Sequence, residues 1–266
     1  MKLTTFLFIA LGTSAFSQEV PAENAETPQT LAIPAWQSEF SNLPIEKRRE
    51  YFKLAQTADS LFKEKRIFEC LDSLAKLNNI FNGNPATLNL EGACYVEFRD
   101  FEKARQTFQK ALEKSPDNTN VKFNISEVDF VTHNWQAALD GFTPIMEEIK
   151  KADINMYNLV LYKVALCQIK LGNLEEAKKL IAPYDFLDDT PLFYFGQAAL
   201  SYEQNKTQEA ESWLARAARV FRDAKILAPW QDTLIEFGYI KSFYGGDLEG
   251  DDQTLPGIEP VAPIQP

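Results

Sequence analysis

The 266-residue sequence predicts an all-α protein, a solenoid of about five stacked helix pairs followed by a capping helix. Three observations carry this. A small residue recurs at Cys70, Ala104, Ala138, Ala177 and Ala210, at steps of 34, 34, 39 and 33 residues. The residue four places on is always apolar: Leu74, Phe108, Phe142, Ile181 and Leu214. A polar turn precedes each of these stripes. A period near 34 with that i, i+4 spacing is the mark of a repeated helix–turn–helix unit.

The second copy, Pro85–Asn118, sets the register. Gly92 and Tyr95 fall on its first helix, and Ala104, Phe108 and Ala111 on its second. Gly92 and Ala104 leave room for two backbones to approach, and the aromatics fill the space beside the contact. Asp100 is placed to cap the second helix, and Pro116 to end it. The first copy runs from about Tyr51 to Phe81 and lacks a closing proline. The third, Thr119 to about Glu148, has Ser126 and Asp129 where a small residue and an aromatic are expected. A five-residue excess at Glu147–Asp153 reads as a lengthened second helix or a longer connection. The fourth, Asn158–Asp185, contains Gly172-Asn173-Leu174-Glu175-Glu176, with Gly172 as helix stop and Asn173 as the next N-cap. The fifth runs from Pro191 to about Val220. From Ala228-Pro229-Trp230 to about Phe243, a last helix has Leu234, Phe237 and Ile240 on its apolar face and Gln231, Asp232, Glu236 and Lys241 as its polar residues. Gly245-Gly246 is expected to end it, and covering the open end of the stack suits it.

The ends differ from this core. Met1–Ser17 has one lysine, a short apolar run at Phe6–Leu11 and small residues before Gln18, the pattern of a cleaved signal peptide. Residues 18–42 read as a flexible leader, with Trp36 and Phe40 able to start a helix or dock onto the first repeat. The solenoid then spans 43–244, and 245–266 form an acidic, Pro- and Gly-rich tail. These ends imply an exported protein, periplasmic or secreted. No other segment is long and apolar enough to span a membrane.

The chain carries a formal charge of −11, from 27 basic and 38 acidic residues, which argues against nucleic acid as a partner. Cys70, Cys94 and Cys167 all sit at interior positions of the register. A Cys70–Cys94 bridge between adjacent repeats remains open. The one histidine, His133, lies in a turn. Neither metal-ligand spacing nor a phosphate loop or nucleophile motif is present, so no catalytic residue, metal or cofactor is assigned.

The Pro85–Asn118 run resembles a complete tetratricopeptide repeat. That resemblance implies a right-handed α-α superhelix whose first helices line a concave groove. It further implies that Phe52, Phe62, Asn89, Val96, Glu97, Phe123, Glu127, Phe130, Leu159, Tyr162, Ile169, Lys170, Phe195, Tyr202 and Glu203 face it. Asp59 stands where the family's carboxylate-clamp members carry asparagine, so a clamp is not implied. An aromatic stripe of this kind suits a non-enzymatic scaffold or adaptor of the cell envelope, binding a peptide or helical segment of another protein. A second reading is a glycan or small-solute binder that uses the same rings for stacking.

Overall fold

The computed structural model describes residues 34–241, and the expected signal peptide and acidic tail lie outside them. Among the described residues all regular structure is helical. After a short α1 (Ala35–Ser41) come five helix pairs. They are α2 (Ile45–Lys63) with α3 (Ile67–Ile80), and α4 (Pro85–Glu97) with α5 (Phe101–Lys114). The third pair is α6 (Thr119–Val131) with α7 (Trp135–Phe142), extended through a 3-10 turn at Thr143–Ile145 into α8 (Met146–Ala152). Then follow α9 (Ile154–Lys170) with α10 (Leu174–Ile181), and α11 (Leu192–Glu203) with α12 (Thr207–Val220). The chain closes with α13 (Ala224–Glu236). None of these helices is long and apolar enough to cross a membrane. The five-residue excess is thus a second helix broken in its middle, where Pro144 cannot continue the hydrogen-bond ladder.

Within a pair, contact is made through the expected small residues. Cys70, Ala104, Ala138, Ala177 and Ala210 are all fully buried. A methyl group on Gly92 would overlap the Phe108 ring, so α4 and α5 meet there because the side chain is missing. In the third pair the small contact has moved. Gly141 of α7 lies against Ser126 of α6. Asp129, in place of an aromatic, accepts two hydrogen bonds from the Arg105 guanidinium of the preceding repeat.

All five turns inside the pairs have one geometry. Lys65, Arg99, His133, Gly172 and Asn205 adopt positive φ between 58° and 82°. Each lies between two crossed backbone bonds. In the first turn Lys65 N–H donates to Phe62 O and Arg66 N–H to Leu61 O, both at 2.9 Å. This is the Schellman closure, which satisfies carbonyls left open at a helix end. Each next residue then opens the second helix. Asp100 caps α5 through a bond from Lys103 N–H. Asn173 departs from expectation, because its amide donates sideways to Gln168 Oε1 and does not cap α10 with its side chain.

At the N-terminal end the expectation that Trp36 and Phe40 start a helix or dock onto the first repeat is met. Helix α1 lies in the segment expected to be a flexible leader, and Phe40 is buried with its ring 4.9 Å from Tyr51 and 5.3 Å from Phe81. At the other end α13 begins four residues early, capped by Asp223. Pro229 thus lies inside the helix, not near its start. Gly238, at φ +85°, ends the helix with the same Schellman bonds, Gly238 N–H to Ile235 O and Tyr239 N–H to Leu234 O.

Candidate functional site: the inner face and its cleft

The first helices of the repeats, α2, α4, α6, α9 and α11, carry the positions expected to line a groove. Of the eleven strongest candidates nine are buried: Phe62, Asn89, Val96, Phe123, Glu127, Phe130, Tyr162, Ile169 and Phe195. Phe52 and Tyr202 are partly covered. The expectation of an open aromatic stripe is therefore corrected. Part of the covering comes from α13, which lies across the inner face. Trp230 packs its ring 5.4 Å from Tyr162 and 5.8 Å from Phe195. Phe237 stacks on Phe130 and lies 5.2 Å from Trp135. Tyr239 stacks on Tyr202 and donates its hydroxyl to Glu203 Oε2 at 2.8 Å. At the near end of the stack, Phe52 is covered by Phe40 of α1.

The C-terminal ends of the first helices and their turns converge on the end of α13. Arg99 reaches Glu236 Oε1 at 3.4 Å, and His133 Nε2 donates to the Glu236 carbonyl at 3.3 Å. The Lys170 ammonium sits 4.5 Å from the Phe237 ring centroid and 5.0 Å from that of Tyr239. Three basic or imidazole groups around a helix C-terminus suit the negative end of its dipole. Because α13 lies against this face, two of its polar residues, Gln231 and Asp232, are buried too.

The inner face also contains a buried polar layer. Lys163 pairs with Glu127 at 3.1 Å, both nearly inaccessible, and its ammonium lies 4.7 Å from the Phe130 ring centroid. Burial pushes the Glu127 carboxyl up, and Lys163 opposes that shift. Asn124 donates to Asn89 at 2.8 Å. The Tyr162 hydroxyl is buried without a hydrogen-bond partner, and burial raises its pKa well above the ordinary value. The aromatic rings here face other protein groups, which removes the basis for reading them as sugar-stacking platforms.

One part of this face stays open. A cleft of about 780 Å³ lies between α13, α8 and the N-terminal ends of α6, α9 and α11. Ile149, Met156, Leu159, Ile226 and Trp230 form its apolar wall. Glu148, Asp153 and Asp189 stand around it, and no basic side chain lines it. Leu159 is an expected groove residue, whereas Trp230 and Ile226 come from the last helix. Sequence reasoning missed them because their place depends on how α13 folds back. The repeat pattern does not encode that path. Among the described residues no group of three His, Cys, Asp or Glu side chains stands close enough to hold a metal ion.

Helix pairs in a fixed register, closed by identical turns and presenting an inner face, define a helical-repeat solenoid of the kind that offers extended binding surfaces. Two stretches, residues 90–118 and 159–182, match the sequence model of the tetratricopeptide repeat. The chain therefore contains tetratricopeptide repeat units. Among solved structures it is similar to the apo form of the quorum sensor NprR from B. thuringiensis, with a TM-score of 0.55 and 16% identity. That likeness covers 76% of this chain and 61% of the sensor. It is also similar to YrrB, described as a TPR protein with an unusual peptide-binding site, with a TM-score of 0.48 and 17% identity over 72% of this chain and 95% of that one. Comparison with curated proteins gave no match.

Proposed function

We propose that this protein is a non-enzymatic interaction scaffold of the cell envelope that holds a short segment of another protein in the cleft beside α13. The observation that carries this is the cleft itself, an apolar wall rimmed by three carboxylates and lined by no basic side chain, although Asp153 also caps α9 and Glu148 accepts from Thr119. Apolar side chains would enter it, and lysine or arginine would complement the rim. The partner is therefore a protein segment with an apolar anchor flanked by basic residues.

A partner that displaces α13 and takes its place is disfavoured. Helix α13 follows α12 after only three residues, Phe221–Asp223. So short a tether gives it an effective concentration on the order of millimolar or more at its own seat. A free segment making the same contacts would lose that competition at ordinary concentrations. Helix α13 is thus a fixed wall of the site. The envelope setting rests on the Met1–Ser17 pattern. Intact mass of the mature native protein should show an N-terminus at Gln18, and retention of Met1–Ser17 would contradict export by cleavage.

The binding reading is tested by selecting a random 12-residue peptide library against the immobilised chain. Enriched peptides should combine an apolar residue with lysine or arginine. Recovery should collapse on the Met156→Arg/Ile226→Arg variant, which places two cations in the cleft. Enrichment of acidic peptides, or equal recovery on that variant, would contradict the assignment.

A further inference from the structure

We propose that Cys70 and Cys94 are an oxidisable pair whose disulfide joins the first repeat to the second. Cys70 lies on α3 and Cys94 on α4, the two helices that meet at the junction between these repeats. Their sulfurs stand 3.4 Å apart, and both side chains are fully buried. A disulfide bond of about 2.05 Å needs the sulfurs to close by only a little over 1 Å, within the reach of small rotations about the two Cα–Cβ bonds. Cys167 is on α9, two repeats further along, so the pairing is unambiguous.

The pair is also polarised. The Cys94 thiol donates its hydrogen to Cys70 Sγ. That bond lowers the Cys70 pKa against the opposing effect of burial, and it raises the Cys94 pKa in the same direction as burial. Once the junction opens, either thiol can attack first as its thiolate, and the path through Cys70 is equivalent to the path through Cys94. The oxidant is an external disulfide such as oxidised glutathione. The Cys70 thiolate attacks one of its sulfurs, forms a mixed disulfide and releases one thiolate. The Cys94 thiol gives its proton to that released thiolate and attacks Cys70 Sγ, and the second glutathione leaves as a thiolate that takes up the proton Cys70 had lost to solvent. Two protein thiols are oxidised by two electrons, and one disulfide is reduced to two thiols. Because both sulfurs are buried, exchange takes place while the junction is open, above all during folding, and the closed bridge is shielded afterwards.

The bridge would close a loop of about 25 residues, which places its stabilisation in the usual range for native disulfides. The test is to refold the full chain from denaturant in a glutathione redox buffer. The product is then denatured in acid, alkylated and analysed by mass spectrometry without reduction. The expected result is one alkylated thiol, on Cys167, and a linked peptide pair containing Cys70 and Cys94. The thermal midpoint of that form should exceed that of the reduced chain by roughly 5–10 °C, a difference absent in Cys70→Ala. Three alkylated thiols, a glutathione adduct persisting on either cysteine, or a bridge to Cys167 would overturn the proposal. If Cys70→Ala does not fold, the thiol count on the unchanged chain decides alone.

Discussion

Gly172 and Gly92 show how single residues set this fold. Gly172 is the left-handed residue of the fourth turn, and space around its Cα is free. Gly172→Ala should therefore cost only the left-handed strain, about 1 kcal/mol in denaturant unfolding. Gly92→Ala adds overlap with a packed aromatic ring and should cost roughly 1–3 kcal/mol. A larger loss at Gly172 than at Gly92 would invert this assignment of backbone and packing roles. The Glu127–Lys163 pair gives a sharper contrast. Glu127→Gln leaves the Lys163 cation buried without its counter-ion and should cost about 3 kcal/mol or more. Replacing both, as Glu127→Leu with Lys163→Met, should recover much of that loss, because neither partner then carries a buried charge. Glu127 was legible as an inner-face residue from the repeat register, but its partner was not. Lys163 adjoins the expected Tyr162, and nothing in its spacing marks it as buried.

At the scale of elements, the helix pairs were readable because small and apolar residues must recur wherever two helices touch. The turns were less so. Only one of five carries the glycine that announces a left-handed stop, and Lys65, Arg99, His133 and Asn205 hold the same geometry without it. Two crossed backbone bonds in each turn offset a strain of about 1 kcal/mol. Helix α13 was expected as a helix, but its bounds differ, and of the expected apolar face only Leu234 lies on it, Phe237 and Ile240 following its end. Pro229 resembles a helix start, and Gly238 is a stop hidden before the more conspicuous Gly245-Gly246. Its route across the inner face rests on Trp230, Leu234 and Phe237, all buried. Trp230→Ala should cost about 3–5 kcal/mol, as deletion of a core aromatic does. Val220→Ser, at an exposed position on α12, should stay within about 0.5 kcal/mol. Equal and small effects would mean that α13 is loosely attached.

Across the whole molecule, the solenoid brings together parts far apart in sequence. Glu236 meets Arg99 of the second repeat and His133 of the third. Periodicity foretold the stack, and the resemblance to the tetratricopeptide repeat implied which helices face inward. It could not tell an open inner face from one covered by a later segment, since an aromatic stripe serves either purpose equally well. The proposed site is therefore the cleft that α13 leaves beside the stripe. The cleft can bind as proposed only if α13 is a fixed wall, and hydrogen exchange measured helix by helix tests this most directly. The amides of α13 should be protected to a degree comparable with those of α9 and α11, and should lose protection together with them as denaturant is added. If α13 exchanged orders of magnitude faster than α9, as a detached terminal helix would, the inner face would be an open groove for much of the time and the cleft would not be the binding site.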